Sequence, residues 1–75
     1  MIDYTQDELM FAIFCIECLA DKEKKSGQEV YNELKSGEDI LDNYIIKNYD
    51  VLHTQGEEYL VRDIQERLNR RQHND

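Results

Sequence analysis

Three times in 75 residues the chain spells out the start of a helix. Thr5 stands three residues before Glu8, Ser26 three before Glu29, and Thr54 three before Glu57. In each pair the hydroxyl can accept from the acid's backbone N–H while the carboxylate accepts from the backbone N–H of the hydroxyl residue. A weaker version sits at Ser36 and Asp39. Apolar residues at helical spacing follow each one, and no segment alternates apolar and polar residues long enough to argue a strand. The expected fold is therefore all-α. It is a small bundle of four helices, at about 6–24, 27–35, 38–48 and 55–71, packed around an apolar N-terminal helix. Residues 1–75 read as one helical domain with a frayed tail at 72–75.

The first helix is apolar nearly all round, and such helices are usually central. Leu9, Ala12, Ile13, Ile16, Leu19 and Ala20 share one face at the helical period. Met10, Phe11, Phe14, Cys15 and Cys18 spread over much of the rest, and Glu17, Asp21 and Lys24 mark a narrow wet side. The Met10/Phe14 side reads first as core and second as a partner or homodimer surface. Val30, Tyr31 and Leu34 should face inward from the second helix, with Gly37 supplying the positive φ that ends it. Ile40, Leu41, Tyr44 and Ile45, with Ile46 beside them, should do so from the third, and Leu60, Val61, Ile64 and Leu68 from the fourth. Tyr59 lies off that last stripe, beside Arg62, Asp63 and Glu66.

Size and charge narrow the function classes. A chain of 75 residues buries only a small core. Two cysteines cannot build the disulfide framework of a small secreted fold, and the first residues carry no secretory signal. The longest apolar run, Leu9 to Ile16, ends at Glu17, far short of the roughly 20 residues a membrane span needs. The expected compartment is the cytoplasm, with no membrane association. The formal net charge is -8, from 17 acidic and 9 basic residues. It is uneven: residues 1–61 hold 14 acids and 5 bases, and residues 62–75 hold 3 and 4. An acidic body repels phosphate backbones, so nucleic acid is an unfavourable partner and a basic protein a favourable one. Residues 27–48 could be drawn as a helix-turn-helix, but its reading helix would open on Glu38 and Asp39, the wrong charge for a groove.

Cys15 and Cys18 form a C-x-x-C in mid-helix among Phe14, Ile16 and Leu19. With no second pair they read as buried structural thiols; no metal and no cofactor is expected. The densest polar segment is Tyr49-Asp50-Val51-Leu52-His53-Thr54-Gln55-Gly56. A histidine titrates close to neutral pH, and Asp50 three residues earlier could orient His53. Thr54 is the expected cap of the fourth helix, which Gln55 and Gly56 would open, and Tyr49 and Tyr59 could flank the same corner. The plainer reading is a structural connector, in which Val51 and Leu52 tuck onto the core and the polar residues bond to backbone. No nucleophile, metal set or phosphate-binding glycine loop accompanies His53, so the chain does not read as an enzyme.

Asn48-Tyr49-Asp50-Val51-Leu52-His53-Thr54-Gln55-Gly56, followed by Tyr59, Val61 and Asp63-Ile64, resembles the signature of a small bacterial family, domain of unknown function 3791. Phe14-Cys15-Ile16-Glu17 and Ser26-Gly27-Gln28-Glu29-Val30-Tyr31 look like that family too. The resemblance implies a small helical bacterial protein, often encoded beside a family that resembles ADP-ribosyltransferases. It supplies no catalytic residues. The expected function is a protein-interaction module, an antitoxin-like or regulatory partner of such a neighbour. Its recognition surface would be Tyr49, Asp50, His53, Thr54, Gln55, Gly56 and Tyr59. The alternatives are a small ligand-binding protein or enzyme using His53 and Asp50, and a homo-oligomeric structural module.

Overall fold

The structure is a computed structural model and describes residues 4–72. It is all-α, with no strand among the described residues. The elements are α1 (Gln6–Glu23), α2 (Gly27–Lys35), a π-helical segment (Leu41–Ile46), a short α3 (Tyr49–Leu52) and α4 (Glu57–Gln72). The tail expected to fray at 72–75 lies outside the described residues from 73 onward, and α4 runs through Gln72.

The first two capping boxes form as their spacing dictates. The Glu8 N–H donates to the Thr5 hydroxyl at 3.1 Å, and the Thr5 N–H donates to the Glu8 carboxylate at 3.1 Å. Ser26 and Glu29 repeat the exchange at 3.0 and 3.1 Å. α1 stops at Lys24, which takes a left-handed conformation (φ 59°) and donates its N–H to the Ala20 carbonyl. A side chain there crowds the following carbonyl, at a cost of roughly 1 kcal/mol that glycine avoids. Lys24→Gly is therefore expected to raise the melting temperature by a few degrees, measured by circular dichroism. An unchanged or lower value would contradict the left-handed cap.

The third expected helix, 38–48, is divided. Gly37 makes the turn after α2 with φ 66°, as its position implies, but Asp39 is also left-handed at φ 56°. The Asp39 carboxylate accepts from the Asp42 N–H at 3.1 Å, so Asp39, not Ser36, caps the next helical turn. The Ser36 hydroxyl instead donates to the Glu33 carbonyl. Helical structure then begins at Ile40 and widens into the π-helical segment. The wider turn keeps Leu41 and Ile45 in the core while Tyr44 reaches α4.

The core is Ala12, Cys15, Leu19 and Ala20 of α1 with Val30, Leu34, Ile40, Leu41, Ile45, Leu52, Leu60, Val61, Ile64 and Leu68. α1 packs against α2, the π-helical segment and α4, which makes it the hub. Its buried face differs from the expected one. Ala12, Leu19 and Ala20 are inside as expected, as is the Cys15 thiol, whereas Leu9 and Ile13 are exposed and Ile16 is only partly covered. A chain of this size has few elements to pack on α1, and among the described residues the side carrying Leu9 and Ile13 stays exposed.

Polar clamps tie the rim. Lys35 bridges Asp39 and Asp42 at 2.9 and 2.8 Å, and the Tyr4 hydroxyl donates to Asp42. Lys35 and then Tyr4 hold the Asp42 carboxyl below its ordinary value of 3.8. Because the folded value is the lower one, this contribution is complete above pH 3.8 and disappears as pH falls through the lowered value. Asp42→Asn is expected to flatten the acid limb of stability, read as urea midpoints between neutral and acid pH. An unaltered limb would show that the bridge is not felt.

Candidate recognition surface

Backbone hydrogen bonds place the polar segment. Asn48 donates to the Tyr44 carbonyl through its side-chain amide at 2.9 Å and its N–H at 3.0 Å, closing the π-helical segment. Its own carbonyl accepts from Val51 and Leu52 at 3.1 and 2.9 Å, which opens α3. Leu52 is buried and pins that turn to the core. Val51 does not tuck in beside it and is 63% exposed. Consecutive residues point about 100° apart on a helix, so a single turn cannot bury both.

Tyr49 and His53, one turn apart, stack face to face with ring centroids 4.4 Å apart and planes at 9°. The Tyr49 ring also meets Phe11 of α1 edge-on, at 5.5 Å and 77°. The His53 Nδ1 lies 2.7 Å from the Tyr49 carbonyl oxygen. A carbonyl only accepts, so Nδ1 donates to it and Nε2 is left for another partner. The expected orienting role of Asp50 thus falls to the Tyr49 backbone, and Asp50 is exposed. Asp50 acts on Tyr49 instead. The phenol is raised above its ordinary value first by loss of surrounding water, then by Asp7, Asp50 and Glu8.

Thr54 does not cap α4. Its hydroxyl donates to the Val51 carbonyl at 2.7 Å and closes the end of α3. α4 begins at Glu57, and the Gly56 carbonyl accepts from Leu60 at 3.1 Å. The Glu57 carboxylate turns toward the Cys18 thiol instead of the Thr54 backbone. Thr54, Gln55 and Gly56 form an exposed turn. A Cβ built on Gly56 would meet nothing within 4 Å, and its φ is not left-handed. The fold itself does not require glycine there. Gly56→Ala is expected to leave stability unchanged or raise it by about 0.4–1 kcal/mol in urea unfolding. A marked loss would mean that the turn needs glycine after all.

Tyr59 is 52% exposed on the first turn of α4. Among the described residues, no ring contact or hydrogen bond joins it to the Tyr49–His53 stack. The structure therefore unites Tyr49 and His53, places Thr54, Gln55 and Gly56 after them, and leaves Tyr59 on a separate helix. Phe11, which anchors Tyr49, carries no local signal that could have singled it out, because its partner lies far along the chain.

The two thiols are free. Burial pushes Cys15 up to about 12, and burial followed by Glu57 pushes Cys18 up to about 11. Both stay protonated near neutral pH, which makes them poor nucleophiles and poor metal ligands. Among the described residues no group of three or more His, Cys, Asp or Glu is placed to hold a metal ion. Cys18 lines a cleft of about 380 Å³ with Asp21, Lys22, Glu57, Glu58 and Arg62. That cleft contains none of the residues 49–56.

A family model described as "Protein of unknown function (DUF3791)" matches residues 10–71. The match runs from the first turns of α1 into α4 and includes the whole polar segment. No curated protein matches the chain, and no solved structure matches it.

Proposed function

The chain belongs to the DUF3791 family, and from that premise we propose that it is a protein-interaction module. It recognises its partner through the Tyr49–His53 stack and the exposed turn after it. The observation that carries this reading is the stack itself. Two rings are held by backbone and by Phe11, yet His53 is exposed and its Nε2 has no partner within the stack. Rings fixed before binding lose little freedom when a partner arrives, and tyrosine in such a setting is a frequent binding anchor. Asp50 and the acidic body favour a basic partner surface and speed its approach.

The neighbour-encoded, ADP-ribosyltransferase-like protein implied by the family resemblance is the proposed partner, and the role is antitoxin-like or regulatory. Tyr59 takes part where the partner is broad enough to reach the start of α4. The cytoplasm is the proposed place of work, which two free thiols support. Among the described residues, no helix is long and apolar enough to cross a membrane.

Co-expression with the neighbouring gene product, followed by co-purification, tests this. The wild type should co-purify, while Tyr49→Ala and His53→Ala should bind more weakly and keep their helical spectrum. No complex with two folded proteins would end the partner reading. A complex that neither substitution affects would move recognition to another face.

A further inference from the structure

α1 leaves a second surface uncovered. Leu9, Met10, Ile13 and Phe14 are 46%, 61%, 45% and 43% exposed. They occupy adjoining positions on one side of the helix, spaced i, i+1, i+4 and i+5. The same helix buries Ala12, Cys15 and Leu19 on its other side, so it is well packed and its outer face is still apolar. Single exposed apolar residues are normal, but four large ones on one face mark a contact surface.

The surrounding charge decides what covers it. Asp7 lies one turn before Met10, Glu17 one turn after Phe14, and Asp21 one turn further; all three are exposed. Between Tyr4 and Asp21 there is no lysine or arginine. A second copy laid antiparallel would bring Asp7 of one chain against Glu17 and Asp21 of the other. A parallel copy would set each acid beside its equal. Either arrangement juxtaposes like charges, and the bases nearest them, Lys22 and Arg62, share their cleft with Asp21, Glu57 and Glu58. An anionic membrane surface is repelled for the same reason.

We propose that this face of α1 docks an amphipathic helix of another protein. Its apolar side covers Leu9, Met10, Ile13 and Phe14, and its flanking lysines or arginines meet Asp7, Glu17 and Asp21. An apolar stripe flanked by acid is the complement of a basic amphipathic helix. The surface meets the Tyr49–His53 stack at Asp7, but its apolar residues do not include Phe11, which anchors that stack, and the inference does not rest on the role proposed for the stack.

The test uses the full chain and two model peptides of about 18 residues, or five helical turns. One is an amphipathic Leu/Lys helix and the other its Leu/Glu counterpart. Titration should show the Leu/Lys peptide binding at least about tenfold more tightly. Met10→Ser with Phe14→Ser should abolish that binding while the helical spectrum persists, since both side chains are exposed. Glu17→Lys with Asp21→Lys should weaken the Leu/Lys peptide by about tenfold, at the upper end for two exposed pairs. It should also strengthen the Leu/Glu peptide. Tyr49→Ala should change neither affinity, which separates this surface from the other. Four results would overturn the proposal: equal binding of the two peptides; Leu/Lys binding that survives Met10→Ser with Phe14→Ser; wild-type self-association in sedimentation that this double variant removes; or binding to anionic phosphatidylserine vesicles in place of the Leu/Lys peptide.

Discussion

Leu19→Ala is expected to cost about 3 kcal/mol, whereas Leu9→Ala on the same helix should cost less than about 1 kcal/mol. Leu19 is fully buried at the centre of the apolar cluster, and Leu9 is 46% exposed. Truncating Leu19 removes its transfer free energy and leaves a cavity among side chains that can close only partly. A domain of this size has a total stability of roughly 4–11 kcal/mol. The loss is thus a large fraction of the whole and should lower the melting temperature by roughly 10–20 °C. Urea unfolding followed by circular dichroism measures both variants on one scale. Should Leu9→Ala prove as costly as Leu19→Ala, the buried face of α1 would have been assigned to the wrong side.

That contrast marks where the sequence could be read and where it could not. The all-α class and the first two helix starts were legible, because the exchange between Thr5 and Glu8 or Ser26 and Glu29 needs only residues three apart. The inward face of α1 was not. A helix apolar nearly all round gives no direction, and docking of α2 and α4 chooses the side. Thr54 and Glu57 have capping-box spacing, but the nearby Val51 carbonyl takes the Thr54 hydroxyl first. Local pattern cannot tell whether that hydroxyl donates back to the Val51 carbonyl or accepts from the Glu57 N–H ahead of it. The polar segment stood out by composition, yet its geometry depends on Phe11, a contact that no local rule supplies.

The second large effect is expected at Tyr44, where the π-helical segment meets α4. Its hydroxyl donates to Asp63, and the Arg67 guanidinium sits 3.4 Å from the centre of its ring. Arg67 also approaches Asp63 at 3.8 Å, too far for a hydrogen bond, so the ring is the firmer contact for the cation. Tyr44→Ala removes ring, cation contact and hydrogen bond together, and should cost about 3 kcal/mol. Tyr44→Phe keeps the ring and loses only the hydroxyl, and should cost about 1–2 kcal/mol.

The pair also separates on pH. Burial and then Asp63 raise the Tyr44 phenol above its ordinary value of 10.0. The stabilisation tied to that proton is complete below pH 10 and is lost as pH rises through the higher folded value. Wild-type stability should therefore fall on the alkaline side, and Tyr44→Phe should fall less steeply. Equal slopes in urea midpoints taken from pH 8 upward would count against the Tyr44–Asp63 bond.

The docking of α4 on α1 has a consequence for the order of synthesis. α1 is made before α4, which is the last of the described helices to emerge. Until Leu60, Val61, Ile64 and Leu68 leave the ribosome, Ala12, Cys15 and Leu19 lack part of their cover. During that interval α1 exposes apolar surface on both sides, and a nascent chain in that condition is prone to aggregate. A protein already bound to the outer face of α1 would shorten the exposed perimeter before the bundle could close. The yield of soluble chain should then depend on whether that protein is made at the same time.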